Sequence, residues 1–322
     1  MSEIVIRAKK LSRNFGDTKA IQSLDLEIEK ARIYGFLGPN GCGKTTAIRM
    51  LTGLLKPSAG EVDVLGFSLP RDAEKLRLKM GYMTQKFSLY DDLTVKENLQ
   101  FISNIYGMSG QAQTKRINEL LDIYGLNKQK NQLSGSLSGG QKQRLSLSAA
   151  TIHKPELLFL DEPTSAVDPQ NRREFWEQLF DLSDQGTSIL VSTHYMDEAE
   201  RCHKLAILES GIKRVEGSPE ELMQQMGAYV VEVSAANIRQ LKQQLLLLPE
   251  VISAAQLGAR LRVLIKNNIT DPIKFLAQQQ TINVNNLTIV RPSLEDVFVT
   301  CTGQNRIGQN EIGQNKIKSR VS

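Results

Sequence analysis

The sequence predicts an α/β fold: a core built on a parallel sheet over 4–217, followed by a smaller unit of βαββαβ order. In the first segment short apolar runs alternate with helical stretches, as the strands of a buried parallel sheet alternate with the helices that cover it. Tyr34 to Leu37, Leu157 to Asp161 and Ser188 to Ser192 are the apolar runs expected as strands. Each precedes a helical stretch, at Lys44 to Gly53, Gln170 to Ser183 and Met196 to Arg201. After Glu216-Gly217-Ser218-Pro219 a short helix is expected through Met226, and the periodicity then changes. Strand Tyr229 to Val233, helix Ile238 to Leu248, strand Val251 to Gln256, strand Arg260 to Ile265, helix Pro272 to Gln280 and strand Val284 to Val290 give the second unit a ferredoxin-like order. The expected domains are therefore 1–226 and 227–302, with a tail at 303–322.

That tail repeats a pentad three times, from Gly303, Gly308 and Gly313. Its Gly, Gln and Asn bias offers little apolar surface, so disorder is expected and the tail should be dispensable for chemistry elsewhere. At 322 residues the chain is too long for one small module. Hydrophobic residues at 40% and charged residues at 23% exclude collagen-like, wholly disordered and coiled-coil classes. No apolar run approaches the roughly 18 residues of a membrane helix. The first ten residues lack an apolar core behind a basic start, so no secretory signal is expected. Cys42, Cys202 and Cys301 are odd in number and lack C-x-x-C spacing, which indicates neither a disulfide framework nor a zinc site. The tail holds four basic residues and one acidic, so it accounts for +3 of the net charge of +5. The remainder shows no basic cluster, and no nucleic-acid partner is expected.

Gly38-Pro39-Asn40-Gly41-Cys42-Gly43-Lys44-Thr45 fits G-x-x-x-x-G-K-[ST], placed between a predicted strand and a predicted helix. Backbone N–H groups of such a loop close around a β-phosphate, and the helix that follows aims its positive dipole end at the same anion. Lys44 adds a point charge at the β and γ phosphates, Thr45 offers a hydroxyl to Mg²⁺, and Thr46 can reach the α-phosphate. Downstream, the apolar strand from Leu157 ends in Asp161 and Glu162, two acids expected beside a metal and a nucleophilic water. Because neighbouring side chains on a strand point to opposite faces, the two should play different parts. Asp161 is assigned to Mg²⁺ through water, and Glu162 to orienting and activating the attacking water. Leu137-Ser138-Gly139-Gly140-Gln141 precedes the helical run Lys142 to Ala150, and Ser138 at its N-cap makes a second anion-binding helix start.

With this pentapeptide the sequence resembles the ATP-binding subunits of ABC transporters, whose signature it is. The resemblance covers residues 4 to about 217 and implies the P-loop NTPase core of an ABC ATPase, with ATP and Mg²⁺ as cofactors. It implies that Phe15 stacks on adenine, that Gln85 touches Mg²⁺ in a loop facing the membrane subunit, and that His194 hydrogen-bonds the γ-phosphate. Ser165-Ala166-Val167-Asp168 matches the loop that crosses a dimer interface, with Val where Leu is commoner. His153 and His203 are expected to be structural or at the surface. In this family the phosphate loop and the signature of one chain lie far apart and meet only across a head-to-tail dimer. Ser138 and Gly140, in the run Ser138 to Gln141 of one copy, would then face the γ-phosphate held by Lys44 of the other.

Arg291-Pro-Ser-Leu-Glu-Asp-Val-Phe298 resembles the closing segment of ATPases that serve drug, polysaccharide and antibiotic exporters. The implied function is hydrolysis of ATP by a homodimer at the cytoplasmic face of the inner membrane, coupled to transport through a separate permease subunit. Two alternatives are a soluble ABC ATPase acting on ribosomes or DNA and a non-hydrolytic ATP-dependent switch. Between Lys44 and Asp161 there is too little chain for the coiled-coil arm that the first usually carries, and Glu162 with His194 argues against the second.

Overall fold

The computed structural model describes residues 3–165, 167–280 and 283–302. Ala166 and the repeat tail at 303–322 lie outside the described residues. The chain divides between Lys213 and Arg214 into two compact units.

The first unit opens with a long antiparallel hairpin, β1 (Ile4–Phe15) and β2 (Thr18–Glu29), closed by Gly16 at φ 57°. Strand β3 (Ile33–Leu37) is buried at every residue and leads to α1 (Lys44–Leu51). The chain then returns to the hairpin as β4 (Ala59–Val64) and β5 (Phe67–Leu69), giving an antiparallel sheet of order β2-β1-β4-β5. After α2 (Ala73–Arg77) and β6 (Met80–Met83) come two helices, α3 (Val95–Ile105) and α4 (Gly110–Ile123). A capping box between Thr94 and Glu97 starts α3, satisfying two of the N–H groups that a helix start leaves unpaired. Helix α5 (Gly139–Thr151) feeds β7 (Leu157–Asp161), α6 (Pro169–Asp184) feeds β8 (Ser188–Thr193), and α7 (Met196–Ala199) precedes β9 (Lys204–Glu209) and β10 (Ile212–Gly217). The second sheet has order β10-β9-β3-β8-β7-β6, and its central pairs β9/β3, β3/β8, β8/β7 and β7/β6 are parallel.

The parallel sheet is the predicted one; the antiparallel sheet is absent from the sequence reading. Register shifts along β1, with Lys10 at φ 46°, break the period-2 pattern by which a half-buried strand is recognised. Ile6, Leu11, Leu24, Leu26 and Ile28 of this sheet form one core with Ala47, Ile48, Met50 and Leu51 of α1 and with Phe36 and Phe159 of the parallel sheet. Helix α1 is thereby fixed between two sheets. Burying each large aliphatic side chain there contributes roughly 1.5–3 kcal/mol, which holds the preceding loop in place.

In the second unit α8 (Pro219–Gln224) is capped by Ser218 and Glu221, with Pro219 in its first turn. Strand β11 (Ala228–Ser234), α9 (Ile238–Leu245), β12 (Val251–Leu257), β13 (Arg260–Lys266), α10 (Pro272–Gln280), β14 (Leu287–Val290) and α11 (Leu294–Thr302) follow. The sheet order β12-β13-β11-β14, all antiparallel, is that of the ferredoxin-like fold. The last strand is shorter than expected because Val284–Asn286 forms a 3-10 turn, whose start is capped by the Asn283 side chain accepting from the Asn285 amide at 3.0 Å. One face of the sheet packs Val231, Val233 and Val263 against Leu241 and Leu245 of α9 and Leu276 of α10.

On the other face Arg262 lies opposite Glu232 in the β11/β13 ladder and donates to both oxygens of Asp296 on α11, at 2.7–3.2 Å. Ser293 caps α11 through the same carboxylate, at 2.7 Å from its amide. Burial by itself would raise the Asp296 carboxyl, yet Arg262 and Ser293 hold it below its ordinary 3.8. Its stabilising effect is therefore full above pH 3.8 and is lost as pH falls through the lower folded value. Asp296→Asn should destabilise the second unit by about 2–3 kcal/mol at neutral pH. In thermal melts the gap from wild type should narrow below pH 3.8; a gap independent of pH would show that the charge is unimportant.

Candidate functional site

Strand β3 ends at Leu37, and the loop from Gly38 to Gly43 turns the chain into α1. A Cβ on Gly38 would stand 2.3 Å from the Leu208 carbonyl oxygen, and one on Gly43, at φ 110°, would stand 2.6 Å from that of Ala20. Only glycine fits either place. No side chain caps α1, so the N–H groups of its first turn are left to a ligand. A cleft of about 750 Å³ opens here, lined by Asn40, Gly41, Gly43, Lys44, Thr45 and Thr46 together with Gln85 and Glu162.

Lys44 is only 4% exposed. Its ammonium donates to the Gly38 and Pro39 carbonyls at 2.7 and 3.2 Å and lies 3.1 Å from Glu162 Oε1. The other oxygen of Glu162 accepts from Gln85 Nε2 at 3.0 Å and stands 3.3 Å from His194 Nδ1, a contact too poorly aligned for a hydrogen bond. Thr45 Oγ1 donates to Asp161 Oδ1 at 3.1 Å. Four residues singled out from the sequence, Lys44, Thr45, Gln85 and His194, thus meet around the two predicted carboxylates, Asp161 and Glu162. The alternation expected for Asp161 and Glu162 does not apply, because Glu162 leaves β7 at φ 47°. That left-handed turn is strained for a non-glycine residue, and it swings the second carboxylate toward the phosphate loop beside the first.

Ser192 was not anticipated. Its hydroxyl donates to Asp161 Oδ1 at 2.7 Å and accepts from the Glu162 amide at 2.9 Å, so it fixes both acids at once. A serine closing an apolar strand was the available signal. Thr164, Arg172 and Glu198, which carry no sequence motif, meet beside the same strand ends.

The oxygen donors Thr45 Oγ1 and Asp161, with the Gln85 amide near, suit a hard cation such as Mg²⁺. Among the described residues no group of three or more His, Cys, Asp or Glu could hold a metal. A Mg²⁺ site needs no such group, since it draws on substrate phosphates and water.

Cys42 lies in this loop, and a thiol among phosphate-binding residues is expected to react readily and to be protected by ATP. It is instead 3% exposed and packs in the core beside Gly38, and burial raises its thiol above the ordinary value, against the pull of Lys44. Thiol reagents should label Cys42 far more slowly than the half-buried Cys301. Mass spectrometry after brief alkylation tests this, and rapid labelling at Cys42 would contradict the burial. Phe15 ends β1 and is 47% exposed, with the Arg13 guanidinium 4.5 Å from its ring centroid. The ring does not itself line the cleft, although Asp17 and Thr18 beside it do.

Ser138 is the N-cap of α5, which begins at Gly139 and not at Lys142, and it caps in a reciprocal pair with Gln141 that is absent from the sequence reading. Ser138 and Gly139 are exposed, while Gly140 is buried against Asn171, where a Cβ would come within 2.8 Å of that side chain. None of Ser138, Gly139, Gly140 and Gln141 lines the cleft at Lys44. The two remaining histidines are structural. His153 stacks on Tyr106 at 3.7 Å, burial pushing it down to about 4, and His203 Nδ1 accepts from the Ile33 amide at 3.0 Å.

Residues 21–165 match the ABC transporter family, and residues 217–302 match the C-terminal domain of DrrA1-3-like ATP-binding proteins. The daunorubicin resistance ATP-binding protein DrrA3 of Streptomyces coeruleorubidus is 32% identical over 313 residues, 95% of this chain and 98% of that protein. The chain belongs to the ABC transporter ATP-binding family. Another relative is the Nod factor export ATP-binding protein I of Cupriavidus pinatubonensis, 35% identical across 93% of this chain and 91% of its own. The probable multidrug ABC transporter ATP-binding protein YbhF of Escherichia coli is 43% identical over 69% of the chain, which spans only 39% of that protein's length. Among solved structures, the ATP-binding subunit of an ABC transporter superposes with a TM-score of 0.64 at 27% identity, over 69% of this chain and 93% of its own. A dimeric ATP-binding cassette in a post-hydrolysis state, bound to ADP and Pi, gives 0.61 at 27% identity, over 66% and 98%. ABC ATP-binding domains, the family to which the chain belongs, bind ATP. No helix among its described residues is long and apolar enough to cross a membrane.

Proposed function

We propose that this chain hydrolyses ATP as a head-to-tail homodimer and so drives an exporter whose membrane-spanning permease is a separate subunit. Glu162, placed between Lys44, Gln85 and His194, is the observation that carries this reading. Phosphate oxygens entering the loop would compete for the Lys44 ammonium, releasing Glu162 Oε1 to accept a proton from water. His194 and Gln85, both against Oε2, keep the carboxylate aimed while that happens. Thr45 and Asp161 would hold Mg²⁺, with Gln85 offering its amide oxygen, and the bound cation would neutralise charge on the phosphates. Phe15 would stack on the adenine.

The exposed Ser138 and Gly139, outside the cleft of their own chain, would reach the γ-phosphate of a second copy, and ATP would join the two. The DrrA-like C-terminal unit and the names of the relatives favour an exporter over a ribosome or DNA ATPase. Such a subunit would sit peripherally at the cytoplasmic face of the inner membrane, on its permease. Phosphate release from purified protein with Mg²⁺ and with EDTA tests the reading. Release that requires Mg²⁺ is expected, and ATP binding without any release would leave only a switch.

A further inference from the structure

Glu198 belongs to none of the roles above, yet its carboxylate is among the most buried in the first unit, at 1% exposure. It lies on the short helix α7 and reaches three other segments. Oε1 accepts from the Thr164 hydroxyl and lies 3.3 Å from Arg172 Nε, while Oε2 accepts from Thr193 Oγ1 at 2.6 Å. Thr164 follows Glu162 by two residues, and Thr193 immediately precedes His194. The Thr193 hydroxyl also accepts from the Tyr195 amide at 3.0 Å, so it sets the turn that presents His194. Arg172, near the start of α6, lays its guanidinium 4.1 Å from the Tyr195 ring centroid, and that ring lies 4.1 Å from the imidazole of His194.

We infer that Glu198 is a positioning residue for hydrolysis: with Arg172 as its counter-charge, it fixes the segment after Glu162 against the turn bearing His194. This rests on the hydrolytic reading proposed above. A buried ion pair is a weak source of stability, since apolar side chains of the same volume often serve as well or better. What the carboxylate adds is direction. Two acceptor oxygens on one rigid plane set two hydroxyls, on two different strand ends, at a fixed separation. That separation governs whether His194 Nδ1 and Glu162 Oε2 stay in contact. An amide has one acceptor oxygen and no charge for Arg172, and its Nε2 meets Thr193 only if that hydroxyl turns from donor to acceptor, so Glu198→Gln weakens the clamp on both strand ends.

The test is a double-mutant cycle between Glu198→Gln and His194→Ala, read as phosphate release under single-turnover conditions beside equilibrium binding of a fluorescent ATP analogue. Glu198→Gln should lower kcat about tenfold or more while changing nucleotide affinity less than about threefold, a split that marks loss of an interaction felt only in the reaction. In the His194→Ala background the same change should alter kcat by less than about twofold, because residues acting as a unit are not additive. Should Glu198→Gln fail to fold, Thr193→Val and Thr164→Val each remove one arm and should give the same split. Wild-type turnover in the folded variants, or losses that multiply in the double mutant, would overturn the inference while leaving the hydrolytic reading intact. A wild-type protein that binds ATP without releasing phosphate would overturn both.

Discussion

Glu162→Gln should leave ATP binding at least as tight as in the wild type and slow hydrolysis roughly 10²- to 10⁴-fold, the loss typical of a missing general base. In the proposed site Mg²⁺ would draw on Thr45 and Asp161, which hydrogen-bond each other at 3.1 Å, so the amide at 162 would remove no ligand that the cation needs. It does remove the carboxylate that holds the Lys44 ammonium at 3.1 Å, and an uncommitted ammonium is available to phosphate. Equilibrium binding and phosphate release on one preparation separate the two effects. Because unhydrolysed ATP would hold two copies together, the variant should also run as a dimer on size exclusion in Mg-ATP where the wild type is largely monomeric. Adding Ser138→Arg should return it to monomer, by placing bulk on an exposed surface outside its own cleft. A Glu162→Gln protein that hydrolyses at the wild-type rate removes the base assignment; one that stays monomeric in ATP removes the dimer.

What could be read from the sequence and what could not differ by a physical rule. Phosphate binding needs glycine, lysine and threonine in one contiguous turn, so Gly38 to Thr45 is legible as a string. Buried parallel strands such as Leu157–Asp161 are legible as well, because both faces are apolar and no register is needed. Strand β1 is not, since its bulges break the alternation. Side chains whose roles depend on three segments converging leave no local trace. Ser192 and Glu198 look like an ordinary strand end and a solvated helix start, and only the parallel pairing of β7 with β8 brings Ser192 onto Asp161. The resemblance supplied Gln85 and His194, which have no signature of their own. It could not supply the turn at Glu162, which overrides the side-chain alternation of the strand before it.

Lys44→Ala should remove most ATP affinity, and it should also destabilise the first unit. On sequence grounds Lys44 faces only ligand, so its removal ought to spare the fold. The ammonium is instead buried, 3.1 Å from a carboxylate that is itself 7% exposed. Removing one member of such a pair strands the other, at a cost of about 3–5 kcal/mol. Gln85 and His194 remain against Glu162, so the low end is expected, and for a unit of this size each kcal/mol lowers the melting temperature by about 2–4 °C. For nucleotide, the loss of a buried charge contact corresponds to roughly 2–5 kcal/mol, about thirtyfold in affinity or more. The double variant Lys44→Ala/Glu162→Gln distinguishes the two losses. With no stranded charge its melting temperature should recover most of the deficit, whereas its ATP affinity should stay low, because the ammonium that meets phosphate is still missing. A double variant as unstable as Lys44→Ala would mean that the deficit comes from the cavity left by the lysine stem and not from the unpaired carboxylate. Unchanged ATP affinity in either variant would remove Lys44 from the phosphate site altogether.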